Sequence, residues 1–174
     1  MNSEDIKSRF GSYHVSILRQ DQAHRLANLF SCHEGNAVCR TLAVTYFWRP
    51  TPKPLLTADD QIRQGQSIGS TLSDAGLSLT RHLLLDGVAI SGAAYEELSS
   101  GTVSPGTPLK IQLYRLDAGT CIDDLCPYAM IAEAHHPEHI APDLKQPQLE
   151  DWLREQRRDP LAMAAGSRLL ASLS

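Results

Sequence analysis

The sequence predicts an α+β fold: a mostly antiparallel β-sheet built from long hairpins, with short helices enclosing a pocket and further helices toward the C-terminus. Three observations carry this. Residues 25–48 read as one long hairpin. A polar tip, His33-Glu34-Gly35-Asn36, separates its arms, and the second arm is rich in β-branched and aromatic residues. Residues 109–116 and 128–135 read as a second strand pair of the same kind. Between the hairpins lie short apolar-periodic stretches closed by Gly65 and Gly76, which suit brief helices.

The elements follow in order. Residues 1–10 form a helical or irregular lead-in. Tyr13 to Arg19 alternates, with Tyr13, Val15 and Ile17 on one side and His14, Ser16 and Leu18 on the other, as a strand does. A polar turn at Arg19-Gln20-Asp21-Gln22 leads into the first hairpin. In its second arm Val38, Leu42, Val44, Tyr46 and Trp48 share a face that Arg40 interrupts. Cys32 and Cys39 flank the tip and are placed to face each other across it. Pro50, Pro52 and Pro54 cannot continue a ladder and mark a rigid exit from the sheet.

Thr57-Ala58-Asp59-Asp60 opens a helix, with Thr57 as cap and acidic residues in the first turn. A second short helix spans 67–75. Leu77 to Asp86 is a strand holding Arg81 and His82, and 92–100 a helix with Tyr95 and Leu98 inward. Leu109, Ile111 and Leu113 share a face of the next strand. Residues 117–127 form a polar loop long enough to be a flap or rim. The last strand, 128–135, puts Glu133 on the face of Ala129 and Ile131. Beyond Pro137, prolines at 142 and 147 mark a connector. Helices follow over 147–158 and from Asp159-Pro160, where Asp159 is the cap.

At 174 residues the chain predicts one ligand-binding or catalytic domain over 1–140 and a helical extension over 141–174, free to cover the sheet or to meet a partner. A formal net charge of −4, from 16 basic and 20 acidic residues, argues against a nucleic-acid platform, which needs a basic face. The first residues are polar and acidic, no signal peptide fits, and no apolar run approaches membrane-spanning length. The expectation is a cytoplasmic protein with no membrane partner and no cofactor, able to form a homo-oligomer.

Four cysteines, Cys32, Cys39, Cys121 and Cys126, could be drawn as a metal site with a histidine. The Cys121-x4-Cys126 spacing is wider than a zinc knuckle, and reduced thiols filling small gaps is the better reading. His135 and His136, neighbours in a strand, point to opposite faces and cannot chelate together, although His136 and His139 could converge at a turn. No metal is expected. Arg154 to Arg158 reads as a solvated helix face.

Four short matches carry a resemblance over residues 5–137. These are Asp5-Ile6-Lys7-Ser8-Arg9-Phe10; Arg25 with Arg40-Thr41 fifteen positions on; Gln66-Ser67-Ile68-Gly69 followed by Leu79-Thr80-Arg81; and Ala132-Glu133-Ala134-His135-His136-Pro137. With the element order, they make the chain resemble the chorismate pyruvate-lyase-like fold, which includes the lyase and the UTRA effector-binding domains. The His135-His136 pair and the helices after Pro137 depart from that pattern.

The resemblance implies a small carboxylated or aromatic ligand. Arg25 would anchor a carboxylate through its planar fork. Glu133, buried among apolar residues and so protonated, would act on the enolpyruvyl ether as general acid. Ile6, Ile68 and Gly69 would line the ring, and Arg81 or Arg40 would hold a second carboxylate. The implied activity is a lyase removing pyruvate from chorismate or a relative; the alternative is a non-catalytic binding domain. Read without the resemblance, Arg25 pairs with Asp21 or Glu34, Glu133 makes an ion pair with Arg40 or Arg81, and Ile6 and Ile68 are plain core.

Overall fold

The computed structural model describes residues 2–155 and 159–174. Its strands are β1 (His14–Gln20), β2 (His24–His33), β3 (Asn36–Phe47), β4 (Ser78–Ile90), β5 (Pro108–Gly119) and β6 (Cys126–His135). They form one six-stranded sheet in the order β1-β2-β3-β6-β5-β4, with every neighbouring pair antiparallel. The helices are α1 (Asn2–Phe10), α2 (Leu56–Arg63), α3 (Ile68–Asp74), α4 (Ala93–Leu98), α5 (Leu149–Glu155) and α6 (Pro160–Leu173). This is the α+β architecture the sequence predicts. The end of the helix expected over 147–158 lies outside the described residues.

The first hairpin forms with a tighter tip than its sequence suggests. His33 pairs with Asn36, which already belongs to β3. The left-handed residues are Glu34 (φ 48°) and Gly35 (φ 84°), the backbone of a two-residue turn whose twist matches the strands. Further along, Leu29 pairs with Thr41 but Phe30 pairs with Cys39, so Arg40 is an extra residue in a bulge. The bulge flips the alternation beyond it. Cys39, not Val38, joins Leu42 and Val44 in the core on their face. The tight tip rules out the expected Cys32–Cys39 facing pair, because it sets Cys32 opposite Ala37 and Cys39 opposite Phe30.

Elsewhere element bounds differ from expectation: β4, β5 and β6 run longer, and α3 and α4 are shorter than the expected 67–75 and 92–100. A 3-10 turn at Lys53–Leu55 leads directly into α2 at Leu56, so Thr57 lies inside the helix and caps nothing. Asp59 is buried rather than solvated. Its carboxylate accepts from Arg49 (2.9 Å), Arg63 (3.1 Å) and the Tyr128 hydroxyl (2.7 Å). β4 continues to Ile90. Pairing of Asp117 with Pro127 and Ala118 with Cys126 carries β5 and β6 into the stretch expected as a flap. What remains between Gly119 and Cys126 holds a short 3-10 turn, Ile122–Asp124.

Two cores lie on opposite faces of the sheet. On one face Leu42, Val44, Ile111, Leu113 and Met130 meet Tyr95 of α4, Leu149 of α5, and Ala162, Ala165, Leu169 and Leu173 of α6. The C-terminal helices therefore complete this face rather than standing apart. Asp159 caps α6 by accepting from the amides of Leu161 (3.0 Å) and Ala162 (3.1 Å). The far end is fixed by Gly92 N–H donating to the Leu173 carbonyl at 2.8 Å. On the other face Phe47, Leu55, Ile62, Leu72, Leu116 and Ile131 form a smaller core beneath α2 and α3. Among the described residues no helix is long and apolar enough to cross a membrane.

Candidate functional site

The second face also carries a cavity of about 290 Å³, beside the smaller core. All six strands contribute to it: Val15, Leu29, Ala43, Leu79, Leu116 and Ile131 are apolar walls, and α3 adds Ile68 and Gly69. Its polar groups are few: Tyr13, Arg25, Thr45, Ser67, Arg81, Tyr114 and Glu133, with Ser3 from α1. An apolar hollow with a small number of convergent polar groups is the usual form of a small-molecule site. The volume lies near the lower end of the range for such sites, roughly 300–1,000 Å³.

Strand register explains why distant residues meet here. Arg25 pairs with Thr45, Thr45 with Ile131, and Ile131 with Tyr114, giving one row across β2, β3, β6 and β5. Ala27, Ala43, Glu133 and Gln112 form the next row on the same face, two residues along. The small side chain of Ala43 lines the cavity together with Arg25 and Glu133.

Arg25 is 4% exposed. Its Nη1 donates to the carbonyls of Ile62 (3.1 Å) and Gln66 (3.0 Å), which ties β2 to the segment between α2 and α3. No ion pair engages it among the described residues, and its Nε is buried without a hydrogen-bond partner. Burial draws its pKa below the usual arginine value, because desolvation penalises the charge. The bonds to carbonyls oppose that by satisfying part of the guanidinium.

Glu133 is 5% exposed, and the Tyr114 hydroxyl lies close to its carboxyl. Burial first, and then the neighbouring Glu133 charge, hold the Tyr114 hydroxyl well above its ordinary range. Arg81 lays its guanidinium over the Tyr114 ring, 4.8 Å from the centroid, and offers a second cation at the cavity's more open side. Tyr13 sits beside Ser67, and burial raises its hydroxyl pKa as well. Both phenols therefore stay protonated; the Tyr114 hydroxyl faces the Glu133 carboxyl, and the Tyr13 hydroxyl can donate to an anion.

The structure brings together Arg25, Ile68, Gly69, Arg81 and Glu133, and it places Ile6 and Arg40 elsewhere. Ile6 is fully buried and does not line the cavity, although its helix supplies Ser3 to the lining. Arg40 follows its bulge to the end of the sheet. There its Nε donates to Ser31 Oγ (2.9 Å), its Nη1 to Glu138 Oε2 (2.7 Å), and its guanidinium covers the Phe10 ring at 3.8 Å. Arg40 thus pairs with Glu138 and not with Glu133. Asp21 hydrogen-bonds its own turn and pairs with His24 at 2.5 Å, leaving Arg25 to the cavity.

His135, His136 and His139 are all buried beside this end of the sheet. Among the described residues no group of three or more His, Cys, Asp or Glu side chains is placed to hold a metal ion. The four cysteines are free thiols, with Cys32 and Cys121 exposed and Cys39 buried. Sequence reasoning passed over Tyr13 and Tyr114 as lining residues. Tyr114 sits two positions before Leu116 on the cavity side of β5, so the alternation that marks Glu133 could have found it. Ser3 and Ser67 carry no such signal, because loops and helix ends place them. No protein-family model matches the chain, and no curated protein matches it.

Proposed function

We propose that the cavity binds a small carboxylated ring compound, and that the protein is a lyase removing pyruvate from chorismate or a related compound. One observation carries the reading: Arg25 and Glu133, far apart in sequence, line the same apolar hollow. A buried guanidinium holds a carboxylate most strongly where water does not screen it. On this reading Arg25 anchors one ligand carboxylate through its free edge, and Arg81 faces the second. Glu133 gives a proton to the enolpyruvyl oxygen as that oxygen leaves, the proton the ring loses on becoming aromatic returns to the Glu133 carboxylate, and the enol released becomes pyruvate. Aromatisation supplies the driving force, so the protein's work is to orient the ether and exclude water.

A second reading keeps the cavity and drops the chemistry: an effector-binding domain for an acidic or aromatic molecule. The two carbonyl bonds of Arg25 favour it, because a ligand on Arg25 would also be read by α2 and α3. Incubation with chorismate, followed by the absorbance of 4-hydroxybenzoate, separates the readings. Product formation supports the lyase. Arg25→Ala and Glu133→Ala should each lower turnover at least about a hundredfold. The melting temperature of each variant, measured alongside, distinguishes lost chemistry from lost folding. A rise in melting temperature with chorismate or 4-hydroxybenzoate, without product, supports the binding domain.

A further inference from the structure

Behind the cavity, a chain of buried polar groups runs from the Arg40 main chain to Glu133. His139 Nδ1 lies 3.3 Å from the Arg40 carbonyl oxygen and 3.2 Å from Thr41 Oγ1. Thr41 Oγ1 lies 3.0 Å from His135 Nδ1. His135 Nε2 makes no hydrogen bond among the described residues and lies 3.7 Å from Glu133 Oε2. His135 and Thr41 are fully buried, and His139 is nearly so. Burial keeps the histidines neutral: it pushes His135 down to about 3 and lowers His139. Each ring therefore carries one proton.

The positions of those protons follow from one acceptor. A carbonyl oxygen cannot donate, so His139 Nδ1 must carry the hydrogen that faces Arg40. Thr41 Oγ1 then accepts on that side, and its single hydrogen has His135 Nδ1 as its remaining partner. A hydroxyl hydrogen left buried and unused would carry its full desolvation penalty. His135 Nδ1 is thus bare, and the proton of this neutral ring sits on Nε2, toward Glu133.

We infer that His135 is a positioning residue for Glu133: the Arg40 carbonyl, acting through His139 and Thr41, holds the His135 Nε2–H toward the Glu133 carboxyl. The inference rests on the reading above that Glu133 is the cavity's working carboxyl. Its consequence is electrostatic: across 3.7 Å the Nε2–H favours the charged form of the Glu133 carboxyl. The charged and titratable groups beside Glu133 at the cavity include Arg25 from β2, Arg81 from β4, Tyr13 just before β1 and Tyr114 from β5. His139, Arg81 and Lys110 act on His135 itself.

Imidazole nitrogen NMR on the ligand-free protein tests the chain without reference to any substrate. The expected spectrum shows His135 protonated on Nε2 alone and His139 on Nδ1 alone. Thr41→Val, which removes the hydroxyl, should give a mixed tautomer at His135. The opposite tautomers in the wild type, or an unchanged His135 in Thr41→Val, would overturn the inference. The second readout is the Glu133 carboxyl carbon titration. His135→Leu should raise its midpoint by about half a pH unit, as loss of an N–H dipole turned toward a carboxylate does. His135→Gln restores an N–H near the Nε2 position and should return the midpoint toward that of the wild type. Equal midpoints in the two variants would mean that His135 only fills space. Absence of 4-hydroxybenzoate binding to a protein with the expected tautomers would instead count against the cavity reading alone.

Discussion

At the scale of single residues, buried polar groups dominate this protein's behaviour. Asp59 shows one kind: a carboxylate under α2 holding Arg49, Arg63 and Tyr128 together. Asp59→Asn leaves two guanidinium groups facing a neutral amide and should cost about 2–4 kcal/mol in urea unfolding. The histidines show another. His135 is pushed down to about 3 and His136 to about 4, chiefly by burial, against an ordinary value of 6.5. Below pH 6.5 the unfolded chain binds protons at these positions that the folded chain does not. Stability is therefore full above pH 6.5 and falls as pH drops toward 4. Each group contributes a loss of up to about 2 kcal/mol by pH 5. Thermal melts from pH 7.5 to 4.5 should show the decline, and His135→Leu with His136→Leu should flatten it. Residue-scale legibility was uneven. Glu133 was readable because β6 alternates without interruption. Arg40 was not, because nothing in Cys39-Arg40-Thr41 announces an extra residue in the strand.

At the scale of elements, caps and close approaches set what the chain tolerates. The Asp159-Pro160 start of α6 was plain in the sequence, and the carboxylate accepts from two amides as that signal implies. Asp159→Ala should cost about 1 kcal/mol, measured by the shift in the denaturation midpoint. Gly87 is less obvious. A Cβ there would lie 2.7 Å from the Pro147 carbonyl oxygen, the same oxygen that accepts from Val88 N–H at 3.0 Å. That contact straps the connector from Pro137 onto β4. Gly87→Ala should displace the strap and destabilise by about 1–3 kcal/mol, with hydrogen exchange rising at Val88 before the central strands. In sequence Gly87 is only one glycine in a strand, because its constraint comes from a segment sixty residues away. Helix boundaries failed for a related reason: Thr57 has a cap's chemistry, but the proline-rich turn before it had already started the helix.

At the scale of the whole molecule, a single sheet separates two interiors with different work. The face under α4, α5 and α6 is a continuous apolar core, whereas the opposite face is interrupted by the cavity. Ala162, Ala165, Leu169 and Leu173 close the first face, so a fragment ending at residue 140 would bare Leu42, Val44, Ile111 and Met130. Such a fragment should lose cooperative thermal unfolding and bind a hydrophobic dye, whereas Leu169→Ala in the full chain should cost about 2–5 kcal/mol. By itself the sequence determined what depends on neighbours along the chain. That includes the two-residue periodicity of the strands, the turn and cap chemistry, the α+β class, and the side of β6 on which Glu133 lies. Tertiary structure alone decided how strands far apart in sequence align, and so which cations share a hollow with that glutamate and which do not. A bulge at Arg40 and a row of paired residues from Arg25 to Tyr114 settle this, because register is fixed by packing between strands rather than by any one strand's own residues.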